Sequence, residues 1–207
     1  MILRQLKLGP MANFLYILGD TTTQKGMIVD PAWDAPILLK TLEEVGCELT
    51  GILLTHGHPD HVNAVSDILE QKEVPVYLSK HEPPFFLSPD VKTTLLADQE
   101  MVVLGTLSIK CLHTPGHSPG SQCFWIENTL ISGDTVFING CGRCDLPGGS
   151  PRDMYHSLYN RLSMLPDETM IYPGHHYGTK AHDIWGNQKK TNPYLRASSI
   201  EDFLLRR

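Results

Sequence analysis

The sequence predicts an α/β architecture in which two β-sheets pack face to face and helices cover their outer sides. Three observations carry that expectation. Short apolar or β-branched runs alternate with helical spacing, they do so in two successive halves, and their connections mix tight turns with longer crossovers. With 207 residues, 41% of them hydrophobic and 19% charged, residues 1–207 are expected to form a single domain with a core of its own.

In chain order, residues 2–6, 13–18 and 27–29 read as strands, separated by Gly9-Pro10 and by a turn over 20–26. Residues 34–45 show helical spacing through Ile37, Leu38, Thr41, Leu42 and Val45, and Gly46 follows as a terminating glycine. A buried strand at 51–54 stops at Thr55-His56, a helix is expected over 61–70, and a strand over 74–78. The second half is strand-rich at 102–104, 107–112, 122–126 and 129–132, with Glu127-Asn128 as a hairpin tip. Ser150, Pro151 and Asp153 supply a capping serine, a first-turn proline and an acidic third position for a helix running to about Leu165. A strand at 170–172 and a terminal helix at 200–205 complete the pattern.

Charge and cysteine usage narrow the function classes. A net charge of −6 disfavours nucleic acid and anionic membranes, both polyanions that select a basic face. No apolar run approaches the roughly 20 residues of a membrane span. Residues 1–20 lack the continuous apolar stretch of a secretion signal, so a cytoplasmic location is expected. Five cysteines, an odd number, do not suit a disulfide framework. Cys141 and Cys144 form a Cys-x-x-Cys in a glycine-rich loop, without the second pair that a zinc ribbon needs.

The chemistry concentrates in Thr55-His56-Gly57-His58-Pro59-Asp60-His61, where a buried strand gives way to a helix. Imidazole and carboxylate groups desolvate badly unless paired or bound to a cation, so this density is poor core packing and good metal ligation. His56 and His58, two apart in extended backbone, point the same way and can grip one ion. Asp60 and His61, entering the helix, can turn toward a second. Three further ligand-type residues sit at strand ends or in a tight turn: His117 in Thr114–Gly120, Asp134 in Ser132-Gly133-Asp134-Thr135, and His175 after Tyr172-Pro173-Gly174.

That series, His-x-His-x-Asp-His followed by single His, Asp and His residues, resembles the signature of the metallo-β-lactamase superfamily and is complete here from residue 56 to residue 175. The resemblance implies a four-layer αββα sandwich of two mixed sheets with the metals at one edge. It implies one metal held by His56, His58 and His117, a second by Asp60, His61 and His175, and Asp134 bridging them. Zinc is the first expectation for both, with iron or manganese as alternatives, because histidine and aspartate do not choose among these ions. Zinc lactamases resemble this pattern but typically carry cysteine at the second-site carboxylate position. Nuclease branches add a domain or exosite for which neither length nor charge leaves room.

Within the superfamily, Gly140-Cys141-Gly142-Arg143, the Tyr177 two residues beyond His175, and Asn192-Pro193-Tyr194-Leu195-Arg196 resemble the glyoxalase II and persulfide dioxygenase branch. By position, Arg143 and Tyr177 would hold the glutathione part of a small-molecule thiol conjugate, the guanidinium gripping a carboxylate in a fork. The resemblance thus implies a glyoxalase II-like thioester hydrolase in which a metal-activated water attacks and Asp60 orients it. Its thiolate leaving group, of pKa about 8.5, needs no dedicated acid. The alternative is a persulfide dioxygenase with a single Fe(II) on His56, His117 and Asp134, acting on glutathione persulfide. Only 32 residues follow His175, so the separate helical glutathione-binding domain of glyoxalase II is not expected. His176 is a candidate outer support for the ligands, and the protein is expected to be a monomer or homodimer.

Overall fold

The computed structural model describes residues 1–83 and 87–206. The first sheet holds β1 (Ile2–Leu8), β2 (Asn13–Asp20), β3 (Lys25–Val29), β4 (Glu48–Leu53), β5 (Val76–Ser79) and β6 (Thr93–Leu96), in that spatial order. It is mixed, antiparallel from β1 to β3 and parallel from β3 to β6. The second half supplies β7 (Met101–Leu104), β8 (Leu107–His113), β9 (Gln122–Ile126) and β10 (Thr129–Gly133), then a small hairpin of β11 (Val136–Phe137) and β12 (Gly140–Cys141), then β13 (Met170–Pro173) and β14 (Asp183–Ile184). The second sheet runs β14-β13-β10-β9-β8-β7, with β10 and β13 parallel and the other pairs antiparallel.

Strand side chains alternate between faces, and that alternation separates three apolar clusters. On β2, Leu15 and Ile17 face α1 (Ala35–Glu44) and α3 (Val65–Gln71) through Leu38, Leu42, Val65 and Ile68. The intervening Phe14, Tyr16 and Leu18 meet Ile109, Phe124 and Ile131 of the second sheet. On β10, Leu130 faces outward to Met154, Leu158, Trp185 and Phe203. These last residues come from α4 (Pro151–His156) and its continuation, α5 (Trp185–Thr191) and α6 (Ile200–Leu205). The order is therefore helix, sheet, sheet, helix, the expected αββα sandwich. Central strands buried on both faces explain why β2 reads as an unbroken apolar run.

The sequence and structure differ where local hydrogen bonds leave the helical ladder. The continuous helix expected over 61–70 is divided into α2 (Pro59–Val62) and α3, because the Ala64 amide donates to the Pro31 carbonyl (3.2 Å). The helix opened by Ser150, whose hydroxyl accepts from the Asp153 amide (3.2 Å), widens into a π-turn at Ser157–Arg161 and tightens at Leu162–Met164 before ending. Among the described residues no helix is long and apolar enough to cross a membrane.

Candidate metal centre

At one end of the sandwich the two sheets are tied by backbone bonds. Gln122 N donates to Thr55 O (2.8 Å) and Phe14 N to Gly174 O (2.7 Å), while within the second sheet Gly174 N donates to Gly133 O (2.8 Å). Four chain segments leave the sheets here: the one after β4 carries His56 to His61, the β8–β9 loop carries His117, and the ends of β10 and β13 deliver Asp134 and His175. A register shift between Ile131 and Gly133, where β10 pairs with β13, accompanies the turn into Asp134. Loops anchored on rigid strands hold ligand geometry without large ordering cost on binding.

All seven residues of the His/Asp series converge. His56, His58 and His117 bring one ligand atom each within 4.8 Å of one another, and so do Asp60, His61 and His175. Asp134 lies between the two groups, its Oδ2 3.4 Å from His117 Nε2 and 3.3 Å from His175 Nε2, its Oδ1 3.5 Å from His61 Nε2. A side-chain carbon at Gly174 would overlap Asp134 Oδ1, so a glycine is needed for this approach.

The outer nitrogens of four of the histidines are occupied, which aims the inner nitrogens at a common space. His117 Nδ1 bonds the Arg143 carbonyl (2.7 Å), His175 Nδ1 the Met11 carbonyl (2.9 Å), His61 Nδ1 the Asp30 carboxylate (3.1 Å), and His56 Nδ1 meets Thr55 Oγ1 (3.0 Å). The inner atoms crowd each other: His58 Nδ1 is 2.9 Å from His117 Nε2, and His61 Nε2 is 3.1 Å from His175 Nε2. His56 Nε2 and Asp134 Oδ1 are buried without any hydrogen-bond partner. A buried polar atom left alone costs free energy, whereas one aimed at a cation does not. These residues fit divalent metal.

Electrostatics divides the two groups. Burial and the neighbouring imidazoles push His56 well down and His58 to about 4, leaving neutral rings with lone pairs to donate. At His175 burial is outweighed by Asp134 and Asp60, which lift it to about 10, and His61 is raised against burial by Asp134, Asp30 and Asp60. Burial likewise opposes ionisation of Asp134 and Asp60, yet His61 and His175 hold both below the usual carboxylate range. The carboxylates around His61 and His175 thus favour positive charge where a cation would stand, and a proton there would compete with a metal.

Three supports carry no sequence signal. Asp30 has a left-handed backbone (φ 51°) and is buried, accepting from Thr55 N (2.7 Å) and Thr55 Oγ1 (2.6 Å) as well as meeting His61. Buried Glu82 joins the two histidine loops, accepting from Gly57 N (2.8 Å), Ser118 Oγ (2.6 Å) and Gly120 N (2.8 Å). Asn13 Nδ2 donates to Asp60 Oδ2 (2.9 Å). The Asp30 segment resembles an ordinary strand end followed by proline, and only a scan for buried acids next to histidine loops would single it out. The ring of His176 packs on Phe14 with centroids 5.2 Å apart, and its amide donates to the Ala12 carbonyl (2.9 Å).

A cleft of about 440 Å³ opens over Asp134 and His175, walled by Met11, Phe137, Ile138, Arg143, Tyr177 and Tyr194. Arg143 forks onto Asp145 (2.6 and 2.7 Å) with both side chains mostly exposed. Tyr177, 57% exposed, stacks on His175 with ring centroids 4.6 Å apart.

The sequence model of the Metallo-beta-lactamase superfamily matches residues 8–175. The chain is 34% identical over 192 residues to the "Probable polyketide biosynthesis zinc-dependent hydrolase PksB" of Bacillus subtilis (strain 168), covering 93% of this chain and 85% of that one. It is 33% identical over 193 residues to the corresponding BaeB of Bacillus velezensis, covering 93% and 86%. The crystal structure of ETHE1 from Myxococcus xanthus superposes with a TM-score of 0.91 at 29% identity, covering 99% of this chain and 89% of that one.

Proposed function

This chain belongs to the metallo-beta-lactamase superfamily, and we propose that it is a glyoxalase II-like hydrolase of thioesters of the S-acylglutathione class. The observation that carries the reading is the pair of three-residue ligand groups with Asp134 between them. His56, His58 and His117 would hold one divalent ion, Asp60, His61 and His175 a second, and Asp134 both. Ions held there, zinc first because two relatives are named zinc-dependent hydrolases, would acidify a shared water toward pKa about 7 and polarise a carbonyl.

The remaining work falls to side chains. Asp60 is half-buried and keeps an edge toward the cleft, while Asn13 fixes its Oδ2 and so fixes the direction in which it accepts a hydrogen bond from the attacking water. Beyond the proposed ligands, no carboxylic acid or histidine among the described residues lines the cleft to protonate a leaving group. Burial and the charges of Asp134 and Asp60 raise the Tyr177 phenol, making it a poor acid. A thiolate leaves without such help, an alkoxide or amine does not, and this favours a thioester. Arg143 would exchange Asp145 for a carboxylate of the thiol arm, and Tyr177, held flat on His175, would offer its hydroxyl beside it.

The decisive assay is anaerobic. S-D-lactoylglutathione should be cleaved at rates proportional to bound metal, with no oxygen requirement. Oxygen consumption with glutathione persulfide, by an iron-loaded protein inert toward the thioester, would overturn the reading and install the dioxygenase with one iron on His56, His117 and Asp134.

A further inference from the structure

A second cavity, of about 420 Å³, shares His58, Asp60 and Leu146 with the cleft and so opens onto the same reacting centre. Its volume falls in the range of small-molecule pockets. The character of its wall differs. Pro59, Pro83, Pro119 and Pro147 line it together with Leu146, and among the described residues no lysine or arginine does. Proline rings fix φ, so such a wall is preformed and loses little freedom when a ligand enters.

Apart from His58 and Asp60, the proposed metal ligands, the polar side chains of the wall are engaged within the protein. Glu82 spends one carboxylate oxygen on Gly57 N and the other on Ser118 Oγ and Gly120 N. Glu82 is nevertheless an acidic side chain on this wall outside the proposed metal ligands, with no basic side chain among the described lining residues to offset it, which disfavours an anion along that wall. The cleft has the opposite bias, because Arg143 stands at its wall. A substrate with two arms across the scissile bond is therefore sorted by charge.

We propose that the proline-walled cavity receives the acyl arm and selects uncharged, apolar acyl groups, while the anionic thiol arm lies in the Arg143 cleft. The proposal rests on the thioester reading above and adds the acyl class to it. Each methylene moved from water into the cavity should raise kcat/KM roughly three- to fourfold until the space is filled. A terminal carboxylate on the same chain should reverse the gain.

The test is a series of glutathione thioesters carrying acetyl, butyryl, hexanoyl and glutaryl groups, with Pro147→Trp as the probe of the cavity. Pro147 is exposed and lines this cavity but not the cleft, so a bulky residue there fills space without entering the core. The wild type should favour butyryl over acetyl by about tenfold and hexanoyl over glutaryl by at least about tenfold, and the variant should flatten both ratios. Binding is read separately by saturation transfer from protein to the methyl group of hexanamide, expected in the wild type and lost in Pro147→Trp. A flat acyl series, a preference for glutaryl, or equal saturation transfer in both proteins would overturn the acyl assignment alone. Failure to cleave any thioester would instead overturn the hydrolase reading on which it stands.

Discussion

Strand β2 starts beside the metal centre at Asn13 and ends at Asp20, on the far side of the sandwich, and each end keeps a buried aspartate. At Asp20 both oxygens are answered. Oδ1 accepts from Thr22 N and Thr106 Oγ1 (both 3.1 Å), and Oδ2 accepts from Thr23 Oγ1 and Thr106 N (both 2.7 Å). At Asp134 one oxygen makes no hydrogen bond and faces His61 Nε2 at 3.5 Å, and the other faces two imidazole nitrogens at 3.3 and 3.4 Å. Glycine makes room in both places, since a side-chain carbon at Gly105 would overlap Asp20 as one at Gly174 would overlap Asp134. The two carboxylates are equally excluded from water but differently completed. Neutral donors in full number make Asp20 a clip between the β2–β3 and β7–β8 turns, while the incomplete shell of Asp134 suits the cation-binding role proposed for it.

Removing Asp134 should break that contrast most severely. A carboxylate between two cations offsets their repulsion, and no neighbour can replace its charge. Asp134→Ala is expected to lose metal and activity beyond the roughly 100-fold that outer supports can cost, as elemental analysis of the purified variant would show. In metal-free protein, the His175 ring should titrate well below its value of about 10, because Asp134 is the leading group holding it up. Wild-type metal content with an unmoved His175 titration would take Asp134 out of the site.

Asp30→Asn tests whether a carboxylate outside the seven proposed ligands, yet within ligand distance of His56 and His61, shares in the receptor. An amide cannot hold the Nδ1 proton of His61 in the same way, while Thr55 can still bond the side chain. Metal affinity should fall about 10- to 100-fold with little loss of fold. Unchanged affinity in a chelator competition would make Asp30 a structural clip like Asp20.

Arg143→Ala should be smaller and confined to substrate. The carbonyl that orients His117 belongs to the backbone and survives the substitution. The guanidinium must give up its exposed fork on Asp145 to bind a substrate carboxylate, so the net loss in kcat/KM is expected near tenfold, at the low end for a charged hydrogen bond. Lysine should restore part of it, keeping the charge without the fork. An unchanged kcat/KM on S-D-lactoylglutathione would leave Arg143 a surface residue, with its metal-orienting carbonyl its only part.

The sequence makes one end of the molecule far more legible than the other. His56, His58, Asp60 and His61 stand at close spacing with no packing explanation, so a shared ligand role could be expected for them from the residues alone, while the grouping of His117, Asp134 and His175 with them was legible only through the resemblance to the superfamily signature. The strand alternation of β2 and β10 likewise exposes the layers. What the sequence hides is set by distant partners. Asp30 and Glu82 are defined by bonds to residues 25 to 38 positions away. The break between α2 and α3 depends on the Pro31 carbonyl, and β14 with α5 forms a segment whose buried face, Trp185, Gly186 and Gln188, carries only one large apolar side chain. Asp20 was invisible for the same reason, since Thr106 lies 86 residues on.

Asp20→Asn is the mildest change and tests the other half of the comparison. Donation from Thr23 and from the Thr106 backbone holds this carboxyl well below the usual range, so its charge is more stable in the folded chain than in the unfolded one. The sign follows from linkage. A depressed folded pKa contributes stability that is present above the unfolded value near 3.9 and is lost as pH falls toward the folded one. Asparagine keeps one acceptor oxygen but turns an NH₂ toward donors, so the variant should melt below the wild type at pH 7. The gap should narrow steadily as the pH is lowered past about 4, where the wild-type carboxyl begins to lose its advantage. Metal content and thioester cleavage at 25 °C should not move, because β2 transmits no contact from this clip to Asn13 other than its own ladder. A Tm difference independent of pH would show that shape rather than charge matters at Asp20. A loss of metal would show that the two ends of the strand are coupled, and would dissolve the distinction between clip and receptor.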